Sequence, residues 1–516
     1  MVTKVVVKKS TYRDSITLMK ISNSIAKLSG ITQAAVVMAT GLNRRVLSEA
    51  GFSDAVIGRA SNDDMIVAVE AKDSKSLDAA LVETDKLLST NERPAGGAEL
   101  PSSLEDAIGL LPEANLAVIS VPGQFAKREA ARAISKGLNV FLFSSNVSRS
   151  DERELKEMAS KKHLLVMGPD CGTSIINGKV LGFGNAIRPG RIGIVSASGT
   201  GLQEVSCMIH NLGLGVSHAI GTGGGDLSDE VGGMTTLQGL SLLARDPGTD
   251  VVVIISKPPG PETMRAVLNS VKKLKKPAVI NFLGAQVSAK DADGQVRAET
   301  LEEAAIAAAK LGGAKVKALR RNESLPVLAR REASRLSSSQ RYVRGLFSGG
   351  TLCYEAQIVL QKTLGEIYSN APLKAEFKID GIEESRENSC IDMGADEFVV
   401  GRAHPMIDFT LRRLRILREA KDPETAVILI DVVLGLGSNP DPAGELVPTI
   451  LEARRASRSA GRYLPVIAAL IGTDGDFQGL KRQKKALEDA RVAVCANSAE
   501  AAMLAGQIAT GRKLKR

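Results

Sequence analysis

Residues Arg188 to Ser228 read RPGRIGIVSASGTGLQEVSCMIHNLGLGVSHAIGTGGGDLS. Ile192-Gly193-Ile194-Val195 is a short apolar run of the kind buried inside a parallel sheet. The small-residue turn Ser196-Ala197-Ser198-Gly199-Thr200-Gly201 follows. Leu202, Val205, Met208, Ile209 and Leu212 then recur at helical spacing, and Gly213 and Gly215 stop the helix. A strand, a glycine-rich turn and a helix start together make an anion site, because the first N–H groups of a helix lack partners and carry partial positive charge. Ser198 and Thr200 add hydroxyls, while Gly199 and Gly201 let a ligand approach the backbone. A second turn, Gly221-Thr222-Gly223-Gly224-Gly225-Asp226, comes directly after the strand-like Val216–Ile220. Two such turns in succession read as a cradle for phosphate or carboxylate, with ordinary βα connections as the alternative. Ser198, Gly199 and Thr200 are the candidate donors of the first turn. Gly223, Gly224, Gly225 and Asp226 are those of the second, where Asp226 serves equally well as a cap for the next helix.

Outward from this stretch, 516 residues exceed what one hydrophobic core can serve, so three or four domains are expected. The 49 glycines, set in turns between apolar runs, suit an α/β enzyme with many tight βα connections. No apolar run approaches the roughly 20 residues of a spanning helix, and the N-terminus has no signal-peptide pattern, so a cytoplasmic protein is expected. Five scattered cysteines without a CxxC argue against a disulfide framework and against a zinc site. The net charge of +9 lies largely in Lys315–Arg341 and the tail from Arg512, without interleaved aromatics, and nucleic-acid binding is not expected.

Residues 1–90 read as strand, helix, strand, strand, helix, a small α+β unit of ferredoxin-like type. Within it, Tyr12-Arg13-Asp14-Ser15 places a natural N-cap at a helix start. A Pro/Gly-rich linker, Asn91–Pro101, follows. Strand-like runs then alternate with helical patterns, which predicts parallel sheets wrapped by helices and divides the chain into 100–185 and 186–312. The basic, Ser-rich stretch 313–341 reads as an interdomain linker, and 342–511 as a further α/β unit. Its turn Ser348-Gly349-Gly350-Thr351 and the loop Leu434–Ser438 sit where sheets of this class bind ligands, beyond the carboxyl ends of strands.

Three further positions carry chemistry. Lys257, in a Ser-Lys-Pro-Pro turn at a strand end, is placed to pair with an anion or to stand solvated in a rigid turn. Arg402, His404 and Asp408 form the densest polar cluster. The Arg suits bidentate recognition of an oxyanion and the His suits acid–base work, whereas an Arg402–Asp408 pair would make the loop structural. Cys171 has no adjacent base and reads as a small buried side chain.

Several of these motifs resemble the NDP-forming acyl-CoA synthetase superfamily, whose type is succinyl-CoA synthetase. They are Met167-Gly168-Pro169-Asp170-Cys171-Gly172 and Gly193–Thr200, together with the region after Gly345. Over its whole length the chain resembles the FdrA family, through Tyr12–Ser15, Leu165–Ser174, Ser217–Gly221, Ser256–Pro259, Ser348–Leu352 and Val400–Asp408. The resemblance implies a multidomain α/β protein. It places a Rossmann-like CoA-binding-type domain at 100–185, and flavodoxin-like domains of succinyl-CoA-synthetase and CoA-ligase type at 186–312 and 342–511.

Departures from the synthetase pattern matter for function. The relay histidine of those ligases has no counterpart, because the matching stretch Gly284–Lys290 reads GAQVSAK. A glutamate that supports the relay falls at about Lys257. The first glycine turn, which would hold the CoA pyrophosphate, and the nucleotide-binding ATP-grasp domain are missing. Neither CoA nor nucleotide is therefore expected to bind this chain alone. The FdrA resemblance implies instead a subunit of an oxamate carbamoyltransferase in anaerobic allantoin breakdown, completed by other subunits encoded nearby. Its small-molecule partners would be oxamate, carbamoyl phosphate and phosphate, with Arg402, His404 and Lys257 as candidate catalytic residues. Such an enzyme is expected to form an oligomer. The alternatives are an acid–thiol ligase that recruits a nucleotide subunit, and a non-catalytic scaffold or ligand sensor.

Overall fold

The computed structural model describes residues 1–52, 55–89, 101–285, 295–315, 324–379 and 384–511. Most of the Asn91–Pro101 linker, the 286–290 part of the Gly284–Lys290 stretch, residues 316–323 of the basic segment and the tail from Arg512 lie outside the described residues. The chain forms two compact units: Met1–Pro101 with Gly394–Asp408, and Ser102–Met393 with Phe409–Arg516.

In the first unit β1 (Val2–Lys8), β2 (Ile31–Met38) and β3 (Met65–Ala71) form a sheet in the order β1-β3-β2, both outer strands antiparallel to β3. Strand periodicity explains how both faces are covered. Met65, Val67 and Val69 pack with Leu18, Ile21 and Ile25 of one helix and Leu77 and Ala80 of another. Ile66 and Ala68 point the other way, onto Leu47, Phe52 and Ile57. Asp14 caps the Ser15–Ala26 helix by accepting the Thr17 N–H at 2.9 Å. Among the described residues of this unit the sheet has three strands, and short helices at Gly41–Glu49 and Ala55–Gly58, which the sequence reading left out, cover its second face.

Among the described residues the second unit holds three sheets. β4 (Leu116–Ile119), β5 (Asn139–Leu142) and β6 (Val166–Met167) are parallel and in sequential order. The next comprises β7 (Thr173–Ile176), β8 (Lys179–Gly182), β9 (Pro189–Ser196), β10 (Val216–Gly221), β11 (Val251–Ser256), β12 (Ala278–Phe282) and β13 (Val296–Arg297), in the order β13-β12-β11-β9-β10-β7-β8. The β7–β8 hairpin precedes the expected division at residue 185, yet pairs antiparallel with β10 and completes this larger sheet. The last sheet is β15-β14-β16-β17-β18, from β14 (Tyr342–Phe347), β15 (Ser389–Asp392), β16 (Thr425–Val433), β17 (Val466–Ile471) and β18 (Ala493–Cys495).

β9 and β14 occupy corresponding places. Each is the first parallel strand of its sheet, and the strand order reverses at each, with the following strand on one side and the next on the other. A crevice opens beyond the carboxyl ends at such switch points. Both glycine turns, Ser196–Gly201 and Ser348–Thr351, emerge there. The segment expected as a linker at 313–341 is partly ordered packing. Ser324–Ala333 is a helix, and Ala329, Ala333 and Leu336 are buried. No helix among the described residues is long and apolar enough to cross a membrane.

Candidate functional site

Ser198 is the N-cap of the Gly199–Asn211 helix: its backbone is extended and its Oγ accepts the Gly201 N–H at 2.9 Å. The same hydroxyl donates to Thr351 Oγ1 at 2.6 Å, in the first turn of the Gly350–Leu364 helix. The two helix starts therefore face each other across the switch points of their sheets. Their approach is close enough to require glycine. A Cβ on Gly349 would stand 2.8 Å from the Thr200 side chain, and one on Gly201 would meet Thr351 Cγ2 at 3.2 Å. Of the first-turn donors in the Gly199 helix, Gly201 N–H is capped by Ser198 Oγ and Leu202 N–H bonds the Ser198 carbonyl at 3.1 Å. Gly199 and Thr200 N–H have no acceptor within their own helix.

The second helix start is fixed from below. Asp431, buried on β16, accepts Ser348 N–H at 2.8 Å, Ser348 Oγ at 2.9 Å and Gly349 N–H at 2.8 Å. Its charge is met by Arg412, whose Nη2 lies 2.9 Å from Asp431 Oδ1. Burial lowers the Arg412 pKa and the Asp431 charge opposes that shift.

Lys257 lies half-buried at the end of β11. Its ammonium is 5.3 Å from the centroid of the Tyr354 ring, on the second turn of the Gly350 helix, and makes no ion pair among the described residues. Ala197 N–H bonds the Ile255 carbonyl and Leu283 N–H the Ser256 carbonyl, so the ends of β9, β11 and β12 are tied side by side. Ser198, Gly199, Thr200 and Lys257 thus belong to one end of one sheet, with the Gly350 helix as its roof.

The other candidates go elsewhere. Asp226 is buried and accepts Thr235 N–H at 3.0 Å, Thr236 N–H at 2.9 Å and Thr236 Oγ1 at 2.6 Å. Its carboxylate takes the place of an anion at the start of the Met234–Arg245 helix. Buried Lys156 balances it at 2.8 Å and also pairs with Glu152 at 2.7 Å. The capping alternative for Asp226 is the one this geometry supplies. Gly223 packs against the Pro169 carbonyl and Gly225 against Arg149, and Gly224 alone of the three is exposed.

Arg402, His404 and Asp408 fall in the segment that joins the first unit, apart from the unit that carries Ser198. Arg402 Nη1 donates to Asn43 Oδ1 at 2.7 Å and Nη2 to Asp408 Oδ2 at 3.4 Å, and Asn43 Nδ2 returns a bond to the Gly401 carbonyl at 3.1 Å. His404 Nδ1 accepts the Met406 N–H at 3.2 Å. These bonds pin the loop to the Gly41–Glu49 helix, so the Arg–Asp pair works structurally here. Cys171 is buried, and burial pushes its thiol up to about 11, which suppresses the thiolate a nucleophile needs.

Sequence reading missed two buried glutamates on the facing helices. Glu204 Oε1 accepts Ser498 N–H at 3.1 Å and Glu355 Oε1 accepts Leu301 N–H at 2.7 Å, while both Oε2 atoms are buried without partners. Burial, then the Glu355 charge, raises the Glu204 pKa well above the ordinary carboxyl range. Burial pushes Glu355 up to about 7. A repeated pattern marks them: Gly199-Thr200 and Gly350-Thr351 are each followed, after three residues, by glutamate.

The four histidines serve other places. His210 ends the Gly199 helix, with Nδ1 accepting Arg188 N–H at 3.0 Å and Nε2 2.8 Å from Asp474. His218 lies on β10 and accepts Asn177 N–H, His163 follows the Arg149–Ser160 helix, and His404 lies in the first unit.

Three segments of the chain match known families. Residues 1–102 match a family described as AllF, heavy metal-associated domain, residues 187–284 the CoA binding domain, and residues 346–508 the CoA-ligase family. The CoA binding match falls on the segment that the sequence reading gave to the first flavodoxin-like domain. The last two matches each contain one of the facing helix starts. Residues 1–102 hold neither cysteine nor histidine, so the donors of that segment do not fit a heavy metal. Nor does any group of three metal-ligating residues occur among the described residues. At the helix start after β4 the backbone approach is close, since a Cβ on Gly123 would stand 2.3 Å from the Ser145 carbonyl oxygen.

Among relatives, an Escherichia coli K12 protein described as "Uncharacterized protein YahF" is 43% identical over 502 residues, covering 97% of this chain and 98% of its own length. The succinate–CoA ligase [ADP-forming] subunit alpha of Methanothermobacter thermautotrophicus is 31% identical over 192 residues, covering 37% of this chain and 64% of that subunit. A Methanosaeta concilii ATP citrate lyase structure is loosely similar, at a TM-score of 0.35 and 17% identity over 41% of this chain and 40% of that one. With a relative alike from end to end and its three segments matched in this order, the chain belongs to the FdrA family, a succinyl-CoA-synthetase-like branch of multidomain α/β proteins.

Proposed function

We propose that the facing starts of the Gly199 and Gly350 helices hold phosphate, or the phosphoryl end of an acyl phosphate, for an acyl-transferring enzyme of the acid–thiol ligase type. The observation that carries this reading is the Ser198–Thr351 bond, which holds two helix starts on one crevice with Gly199 and Thr200 N–H left for a ligand. Two helix dipoles and the Lys257 ammonium favour an oxyanion there. The five cysteines, all free and buried, suit a reducing compartment such as the cytoplasm.

A second, finer reading is favoured by the absence of histidine at this crevice and by Lys257. With no relay residue, the acyl group passes directly between its carrier and phosphate. In carbamoyl transfer, a phosphate oxygen attacks the carbamoyl carbon of oxalurate and the C–N bond to oxamate breaks. The departing nitrogen takes the phosphate proton, leaving carbamoyl phosphate. Oriented donors for the developing oxyanion serve such a step without a covalent nucleophile. The remaining groups would come from other subunits.

The test is phosphorolysis of oxalurate, followed as carbamoyl phosphate, with this chain alone and then with the products of neighbouring genes. Activity in the mixture that is lost in Ser198→Ala and Lys257→Met supports direct transfer. Phosphate release that needs CoA and nucleotide, with no carbamoyl phosphate, supports the ligase. Phosphate binding with neither activity leaves a ligand sensor.

A further inference from the structure

The Gly199 helix start has one more neighbour, Thr173, the first residue of β7. Thr173 is 2% exposed, and its Oγ1 is a buried side-chain oxygen without a hydrogen-bond partner. Its backbone is held by the β7–β8 ladder, where Thr173 pairs with Gly182, and by the Cys171 thiol, which donates to its carbonyl. The hydroxyl is left out of both. Gly199 shows what it faces. The heavy atom nearest to a side chain built on Gly199 is Thr173 Oγ1, at 3.5 Å, followed by Gly172 Cα at 3.8 Å. A hydroxyl without a partner in a buried place is unfavourable, and proteins keep few of them without a use. This one lies beside Gly199, whose N–H, like that of Thr200, is left unpaired by the helix.

We propose that Thr173 donates its hydroxyl to the oxyanion held at the Gly199 helix start, as a third donor beside Gly199 N–H and Thr200 N–H. The group bound there is phosphate or a phosphoryl group, and the inference rests on the phosphate reading above. Thr173 reaches this point from the β7–β8 hairpin, on the far side of β10 from β9, so the pocket is closed by an element that the glycine turn itself does not contain.

Titration calorimetry of inorganic phosphate into the full chain tests this, with wild type, Thr173→Val and Thr173→Ser compared, and with the thermal midpoint of each measured alongside. Valine keeps the shape and removes the hydroxyl. The expected result is phosphate binding weakened about 10-fold in Thr173→Val, at a midpoint no lower than wild type, because no internal bond is lost. Thr173→Ser, which keeps the hydroxyl, stays within about 3-fold of wild type. Equal phosphate affinity in wild type and Thr173→Val overturns the role of Thr173 and leaves the helix starts as the site. A lowered midpoint in Thr173→Val with unchanged affinity also overturns it, by showing that the hydroxyl serves the fold. Absence of phosphate binding by wild type overturns both this inference and the reading beneath it.

Discussion

Glu204 and Glu355 occupy the same position in two helices that start the same way, five residues after Gly199 and Gly350, and both are buried with one carboxyl oxygen unpartnered. Each receives an N–H from the first turn of a further helix, Ser498 for one and Leu301 for the other. Those donors favour the ionised form, by roughly 0.3–1 kcal/mol at an exposed helix end. Burial outweighs them, since both carboxyls are raised.

A pH dependence follows. Glu355 titrates at about 7 in the folded chain, above the roughly 4.3 of an unfolded glutamate. The folded state therefore binds more protons than the unfolded one between these values. The stabilisation is full below the lower value and is lost as pH rises through about 7. The thermal midpoint of wild type is expected to fall between pH 5 and pH 8, and Glu355→Gln is expected to flatten that profile and to exceed wild type at pH 8. A wild-type profile no steeper than that of Glu355→Gln would contradict it.

Asp431 is expected to be the least replaceable side chain beneath the Gly350 helix. In Asp431→Ala, Ser348 and Gly349 lose their acceptor and buried Arg412 loses its counter-charge. Breaking one side of such a pair costs about 3–5 kcal/mol. Urea denaturation of this variant should show a clear drop in midpoint. A midpoint within error of wild type would mean that Arg412 finds another acceptor.

The second glycine turn separates packing from ligand binding. Gly223 has φ +84°, and a Cβ there would stand 2.1 Å from the Pro169 carbonyl oxygen. Gly224 is exposed, and a Cβ on it would meet only Asp170 Oδ2, at 3.5 Å. Gly223→Ala should destabilise by more than about 1 kcal/mol, and Gly224→Ala by about 0.5 kcal/mol at most. If Gly224→Ala abolishes phosphate binding while leaving stability intact, the second turn is a ligand site after all.

Ser198→Ala removes an N-cap, worth about 1 kcal/mol, and the hydroxyl that reaches Thr351. The expected outcome is a small loss of stability with a larger loss of phosphate affinity, because the two helix starts are no longer tied. Calorimetry and thermal melts on the same preparation decide between this and a purely local capping effect, in which affinity would be unchanged.

Much of this arrangement was legible in the sequence, because strands, glycine turns and caps are local. Ile192–Val195 and Ser198–Gly201 announce a strand, turn and helix by composition alone, and Tyr12–Ser15 announces a cap that either Asp14 or Ser15 could supply and Asp14 makes. What escaped depends on contacts distant in the chain. Ser198 meets Thr351 across 153 positions, and Thr173 approaches Gly199 only because β7 joins a sheet beside β10. The 313–341 segment read as linker because it is basic and Ser-rich. Its buried apolar positions among the described residues, Ala329, Ala333 and Leu336, are few and mostly small. Arg402 and Asp408 showed a dense polar cluster, and sequence offered no sign that Asn43, 359 positions away, would take up the guanidinium.

The Ser198–Thr351 contact joins two helix starts that belong to one polypeptide. Closing this crevice is therefore a folding event, governed by an intramolecular equilibrium with no concentration term. Dilution, which takes apart a site shared between separate chains, leaves these two helix starts together.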